Sequence, residues 1–305
     1  MLVPGVQQTI DVANGSLDRA AARVVDRRAP ELYLESLGIS EDEKQGVLEL
    51  QQQGRAIDPV VAHLVAATNG LMYKHLIGSL DRYPVPELAL PPGDGRLLLD
   101  VGCSWGRWTL AAHRLGYQAV GIDPSLGAVM AARRVARQLG ADVRHVVGDA
   151  RYLPFAAKRF DCVYSYSVLQ HLSRVDASAA VSEIGRVLVD GGTAKVQMPT
   201  RLGIRCLYHQ ARRGFRDGRG FEVRYWSLPS LRRLFGERVG KNRVAVDGYF
   251  GIGLQRADAP LMTPRLRRVL SASEWLKRAS RHFPPLTWVA DSVFVEAARR
   301  AEGRP

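Results

Sequence analysis

Three aspartates stand at the ends of short apolar runs. Asp100 is in LLLDV (97–101), Asp123 closes QAVGID (118–123), and Asp149 closes DVRHVVGD (142–149). If each run is a strand of one parallel sheet, the three carboxylates line one crevice at the carboxyl ends of successive strands. Their chemistry is then complementary to a ligand with three different groups. Asp100 can hold an ammonium charge, directly or through water. Asp123 can accept from a ribose diol, and Asp149 from an adenine amino group. Each also has a plainer role: Asp100 and Asp149 as turn residues bonded to nearby backbone N–H groups, and Asp123 as the cap of the helix opening at Pro124.

The first aspartate is followed by Gly102, Ser104 and Gly106. A strand that turns sharply into a helix needs glycine where φ is positive and where a ligand approaches the backbone. The spacing is not the dinucleotide fingerprint: the third small residue comes one place too early, and no further glycine closes the helix–sheet contact. The acid two places before Gly102 suits an ammonium better than a pyrophosphate.

The elements that position these residues alternate. After the glycine turn, WTLAAHRLG reads as a helix stopped by Gly116, and SLGAVMAARRVARQLG as a helix capped by Ser125 and ended by Gly140. FDCVYSYS and GGTAKVQMP read as the fourth and fifth strands, with the helix ASAAVSEIGRVLVDGG between them. Such alternation implies βαβ units and a parallel sheet. SLPSLRRLFGERVG resumes as a capped helix, NRVAVDGYFG as a strand, 261–285 as a basic helical piece and DSVFVEAARR as a strand. The expected fold is α/β, a Rossmann-like seven-stranded mostly parallel sheet with helices on both faces. It is expected to carry a helical N-terminal region and an insertion after the fifth strand. The expected boundaries are a helical lid or extension over 1–94, a core over 95–200, an Arg/aromatic insertion over 201–226 and a completion of the sheet over 227–305.

On these motifs the chain resembles the class I S-adenosylmethionine-dependent methyltransferases. LLLDVGCSWGRW, GID, GDARYLPF and FDCVYSYSVLQHL stand in that family's order, and EIGRVLVDGGTAKVQMP is similar to its R-h-L-x-x-G-G segment. Within the family, the core most resembles the ubiquinone/menaquinone-biosynthesis group. The resemblance implies S-adenosylmethionine as cofactor and S-adenosylhomocysteine as product. It also implies a cofactor site at Asp100, Gly102, Cys103, Ser104, Gly106, Asp123, Pro124, Asp149, Ala150 and Ser165. Ser104 departs from the family's usual glycine; serine narrows φ and offers a hydroxyl to the cofactor.

Methyl transfer is an in-line displacement that chiefly needs alignment and exclusion of water. A base is needed only where the acceptor holds its proton at neutral pH. His171, in SVLQHL after the fourth strand, is the candidate base, with substrate positioning or packing as the plainer roles. Tyr73 and His75, in NGLMYKHLIG, are candidates for a lid over the acceptor, or for the edge of a core. In the insertion, Arg212 could grip a phosphate or carboxylate, and Tyr208, Tyr225 and Trp226 could stack on a ring. The plainer reading of that segment is a solvated basic loop.

The acceptor is expected to be a small molecule methylated on oxygen or activated carbon: a natural product, a quinone-like compound or a sugar-containing metabolite, with anionic molecules among the candidates. The 305 residues carry a net charge of +13, which favours an anionic partner and keeps an RNA methyltransferase as an alternative. No RNA-binding module is recognisable. The fourth strand runs into SYSVLQH rather than N/D-P-P-Y/F, which argues against an exocyclic base amine as acceptor. A catalytically inactive cofactor-binding partner protein is a further alternative. Cys103, Cys162 and Cys206 lie far apart with no C-x-x-C pair, so no zinc or other metal site is expected, and a reducing compartment fits. The first residues have no basic start followed by an apolar run, and no apolar stretch is long enough to span a bilayer, so a cytoplasmic location is expected. The oligomeric state is left open.

Overall fold

A computed structural model describes residues 57–58, 61, 64–65, 82–251 and 256–301. The lid expected over 1–94, with its candidate residues Tyr73 and His75, lies almost wholly outside the described residues.

Strands β1 (Leu97–Val101), β2 (Gln118–Asp123), β3 (Arg144–Val147), β4 (Phe160–Ser165), β5 (Leu188–Pro199), β6 (Asn242–Gly248) and β7 (Ser292–Ala298) form one sheet in the order β3-β2-β1-β4-β5-β7-β6. The first five pair in parallel, and β7 runs antiparallel to both of its neighbours, β5 and β6. The central strands read as apolar runs because both of their faces are covered: Leu98, Leu99 and Val163 have no exposed surface. Burying each such side chain contributes about 1.5–3 kcal/mol.

Helices α1 (Arg107–Arg114) and α2 (Leu126–Gln138) follow β1 and β2, and α3 (Arg174–Val187) precedes β5. The helix α2 begins where the sequence places it: Ser125 accepts from the Ala128 N–H at 3.2 Å. One face of the sheet is covered by α3 and by α5 (Leu228–Arg238), through Ala177, Val181, Ile184, Leu231 and Phe235. On the other face α1 packs through Trp108, Ala111 and Ala112 against Tyr164 and Phe294. Ile57, Val61 and Val65 are buried against Trp105, Leu110 and Val135.

The expected insertion contains a helix, α4 (Ile204–Arg212), that the sequence reading did not contain. The basic piece after β6 holds α6 (Pro264–Ala279), and the short α7 (Leu286–Val289) precedes β7.

Candidate functional site

The turn after β1 is built by backbone bonds to β2. The N–H groups of Gly102 and Cys103 both donate to the Ile122 carbonyl, at 2.8 and 3.0 Å. Three residues of the turn have positive φ: Gly102 at 78°, Ser104 at 49° and Gly106 at 84°. Ser104 thus takes the left-handed conformation that glycine adopts freely, at a cost of about 1 kcal/mol. It is held there by its own N–H, which donates to Asp123 Oδ2 at 2.9 Å. Cys103 is buried, and burial pushes its thiol well above the ordinary range.

At Gly102 the missing side chain serves the fold directly. A Cβ there would lie 2.8 Å from Val168 Cγ1 and nearer still to Cγ2. The sequence reading reserved the bare backbone of such a turn for a ligand, but at this position the chain's own Val168 takes that space. Gly106 opens α1, and a Cβ on it would lie 3.0 Å from His145 Nε2.

Asp100 has no exposed surface. Thr109 Oγ1 donates to its Oδ2 at 2.7 Å, while Oδ1 has no hydrogen-bond partner among the described residues. Burial pushes this carboxyl up to about 7. Asp123 is partly exposed, and its two oxygens take the N–H groups of Ser104 and Ser125, each at 2.9 Å. Burial raises its pKa as well. The helix-cap role considered for Asp123 belongs to Ser125, and Pro124 lies exposed between them.

Asp149 is engaged within the chain. Arg151 Nε and Nη2 donate to its two oxygens at 2.7–3.1 Å, and the Arg151 backbone N–H donates to Oδ1 at 2.8 Å. Arg151 Nη1 also reaches Asp176 Oδ1 at 3.0 Å. The sequence reading did not contain this pair, and it occupies the carboxylate assigned to an adenine amine. Ala150, next to it, is partly buried against the core.

Ser165 is buried, and its hydroxyl donates to the Val101 carbonyl at 2.9 Å, tying the tip of β4 to the tip of β1. His171 uses both ring nitrogens. Its Nδ1 lies 2.7 Å from the Phe221 carbonyl and acts as donor, so Nε2 accepts from the Gln170 amide at 3.2 Å. Its ring stacks on Phe221 with centroids 3.9 Å apart. Burial lowers its pKa. The lone pair that a base needs is therefore already engaged, and His171 fastens the insertion to the segment after β4.

The insertion divides in two. Tyr208 and Arg212 lie exposed on α4, with the Arg212 guanidinium 5.8 Å from the Tyr208 ring. Tyr225 and Trp226 are 8% and 5% exposed, and Trp226 belongs to the main core. The stacking role expected of these two rings gives way to packing: Arg213 lies over Tyr225 at 5.0 Å and Arg174 over Trp226 at 4.3 Å. Arg224, also buried, donates to the His171 carbonyl at 2.6 Å.

Two cavities lie elsewhere. One of about 620 Å³ is lined by Tyr83, Val85, Ala111 and Leu115, and one of about 280 Å³ by Leu97, Gly116, Gln118 and Arg144. Neither includes the strand tips that carry Asp100, Asp123 and Asp149.

Sequence reasoning missed Tyr166 and Asp247, which the sheet brings together: Tyr166 Oη donates to Asp247 Oδ2 at 3.1 Å. The period-2 alternation of YSY at the end of β4 places Tyr164 and Tyr166 on one face, but nothing local points to a partner 81 residues away.

Residues 98–192 match the sequence model of a methyltransferase domain. A ubiquinone biosynthesis O-methyltransferase of Azorhizobium caulinodans is 34% identical over 87 residues, 28% of this chain and 34% of that protein. One from Methylocella silvestris is 30% identical over 128 residues, 42% of this chain and 48% of that protein. The chain thus spans about a third to a half of the length of these curated relatives. A solved S-adenosylmethionine-dependent methyltransferase from Methanosarcina mazei aligns with 68% of this chain and 94% of its own, at 17% identity and a TM-score of 0.48. Among the described residues no helix is long and apolar enough to cross a membrane. The alternating parallel strands and the glycine turn lie within the matched segment: residues 98–192 are a methyltransferase domain.

Proposed function

We propose that the chain transfers a methyl group from S-adenosylmethionine to an oxygen or activated carbon of a small-molecule acceptor. The observation that carries this reading is the junction of Ser104 and Asp123: one hydrogen bond of 2.9 Å locks the glycine turn to the acid at the tip of β2. Each carboxylate oxygen has a second lone pair, so Asp123 can still accept from a ribose diol. The buried Oδ1 of Asp100, without a partner among the described residues, suits an ammonium group or a water bound to one. These residues fit the cofactor. Asp100 and Gly102 serve its amino-acid end, beside the main chain of Ser165, and Asp123 serves its sugar. With Asp149 held by Arg151, the adenine falls to the main chain at Ala150.

S-adenosylmethionine, when bound, supplies a methyl group already activated on a sulfonium. The chain's task is to hold the acceptor in line, exclude water and take up a proton where the acceptor carries one. The named relatives act in ubiquinone biosynthesis as O-methyltransferases, which favours an oxygen acceptor here.

Calorimetric titration with S-adenosylmethionine tests the reading. The unaltered chain should bind it, and Asp123→Ala should weaken binding by roughly 10–100-fold, the 1–3 kcal/mol lost with a hydrogen-bond acceptor. No heat with the unaltered chain, or equal affinities, would refute the assignment.

A further inference from the structure

Helix α4 turns an apolar stripe outward. Ile204, Leu207, Tyr208 and Ala211 are spaced i, i+3, i+4 and i+7, which places them on one face, and all four are exposed. The buried face is the opposite one, through Cys206 and Gln210. An amphipathic helix of a globular protein ordinarily buries its apolar stripe and shows its polar side. Here Arg205, His209 and Arg212 flank the stripe and are exposed with it.

Two other helices are fixed around the same point. The buried Asp291 takes the backbone N–H groups of Arg205 and Cys206 on Oδ1, at 2.7 and 3.0 Å, and that of Gly251 on Oδ2 at 3.2 Å. Tyr249, also buried, donates its N–H to Ser273 Oγ of α6 at 2.9 Å and its hydroxyl to the Leu286 carbonyl of α7 at 3.2 Å. Gly203 lies so close to the end of α7 that a Cβ on it would meet the Ala290 carbonyl at 2.7 Å. The chain neighbours of these two residues, Leu202, Ile204 and Val289, are exposed large apolar side chains. Pro199 pairs with Ser292, so this hub stands at the edge of the sheet that carries the carboxyl ends of β1, β2 and β4.

The helices around the hub show aromatic rings and cations together. Trp275 of α6 is 65% exposed and Trp288 of α7 46%, whereas the other three of the five tryptophans, Trp105, Trp108 and Trp226, are buried. Phe283, between α6 and α7, is exposed as well. Residues 200–213 hold four arginines and no acid, and residues 261–290 hold five arginines, one lysine and a single acid, Glu274. On α6, Arg268, Trp275 and Arg278 are exposed at spacings of seven and three, which is one helix face.

Charge decides what such a face can meet. A second copy seated on it by two-fold symmetry would set cations against cations, with one acid on each side to oppose them. Nucleic acid would satisfy the arginines and leave Ile204, Leu207 and Val289 facing polar phosphates. A bilayer with anionic headgroups takes both kinds of side chain: tryptophan and aliphatic groups enter the headgroup–acyl boundary, and the cations meet lipid phosphate and carboxylate. We propose that α4, α7 and the outer side of α6 dock the chain on an anionic phospholipid surface. The inference stands apart from the methyltransferase reading and does not depend on it.

Flotation of the full chain with vesicles is the test. One set is phosphatidylcholine alone, and the other carries about three parts in ten of phosphatidylserine. The proposal requires that the unaltered chain float with the anionic vesicles at about 0.1 M salt, about tenfold less with the neutral ones, and be released at about 0.5 M salt. Tryptophan emission should shift to the blue on the anionic vesicles as Trp275 and Trp288 leave water. Trp288→Ala and Arg212→Glu should each bind about tenfold more weakly. Arg137→Glu, the same change of charge at an exposed position on α2, should bind as the unaltered chain does. Should Arg212→Glu fail to fold, Trp288→Ala still decides, since it removes only an exposed ring. No flotation, equal flotation with both vesicle sets, undiminished binding by Trp288→Ala, or equal losses in Arg212→Glu and Arg137→Glu overturns the proposal. Where vesicles are not bound, a dimer in light scattering that Trp288→Ala dissociates gives the face to a second copy, and retention of polyadenylate gives it to nucleic acid; either result overturns the proposal too.

Discussion

The Nδ1 of His171 donates to the carbonyl oxygen of Phe221 at 2.7 Å while the two rings lie stacked, their planes 4° apart. Fifty residues of sequence separate them, so the contact closes the insertion onto the segment after β4. His171→Ala should cost about 1–2 kcal/mol and loosen the 213–221 segment. Trypsin, cleaving after the exposed Arg216 and Arg219, should then nick the variant faster than the unaltered chain, with S-adenosylmethionine affinity unchanged. Equal nicking rates would show that this contact does not hold the insertion in place.

Gly102→Ala meets two obstacles: a φ of 78° and a Cβ driven into Val168. The single variant should lose about 2–4 kcal/mol of stability, combining backbone strain with overpacking. Adding Val168→Ala should relieve the clash and leave the strain, so the double variant should recover only the larger part. Denaturant unfolding of the two single variants and the double variant measures this directly. Recovery of nothing would place the whole cost in the backbone.

Ser104→Gly tests the strained position of the turn. Glycine removes the penalty of a φ near 49°, and its extra freedom in the unfolded chain offsets part of the gain. The expected net is a stabilisation of up to about 1 kcal/mol, read as a rise of a few degrees in melting temperature. A clear fall would mean that the serine hydroxyl holds the turn.

His145 and Asp100 give opposite pH dependences. His145 is 3% exposed, neither ring nitrogen has a hydrogen-bond partner among the described residues, and burial lowers its pKa to about 4. The unfolded chain therefore binds the proton first. The stability contributed by the neutral ring is complete above pH 6.5 and is lost as pH falls towards 4, in all about 3 kcal/mol. Asp100, raised to about 7, has the reverse sign: the folded chain binds the extra proton, and stability falls as pH rises from near 4 through 7. The two slopes oppose each other between pH 4 and 7. His145→Phe should expose the Asp100 slope and Asp100→Asn the His145 slope, in urea unfolding at pH 4.5, 5.5, 6.5 and 7.5. A variant whose pH dependence matches the unaltered chain would refute the assignment for that residue.

The sheet was legible because its strands are short apolar runs ending in glycine or aspartate, and because Ser125 and Ser227 announce their helices by capping them. The nearness of Asp100, Asp123 and Asp149 was legible for the same reason: they sit at or beside the ends of consecutive strands and are close in sequence. The contact between Tyr166 and Asp247 was not. Asp247 reaches Tyr166 only because β7 and β6 complete the sheet beyond β5, a matter of strand order that no local pattern encodes. Tyr225 and Trp226 look like solvent-facing aromatics among arginines. They are buried because the Thr200–Trp226 bridge brings them down beside the end of β5. Helix α4 was hidden by the mixture of arginine and aromatics, although its inward residues, Cys206 and Gln210, are spaced by one helical turn. Asp149 was read as free because the bidentate reach of Arg151, two positions on, depends on the shape of the turn.

The central place of β7, between β5 and β6, bears on how the polypeptide acquires its structure during synthesis. The five parallel strands can associate once residues up to 199 have left the ribosome, but β6 emerges next, before its native neighbour β7 exists. It must wait, with its pairing groups uncovered, for about fifty residues until Ser292–Ala298 arrives to bridge it to β5. During that interval the β5 edge is an open template for foreign strands. Slow translation over residues 200–291 would therefore lengthen the time that this edge stays uncovered.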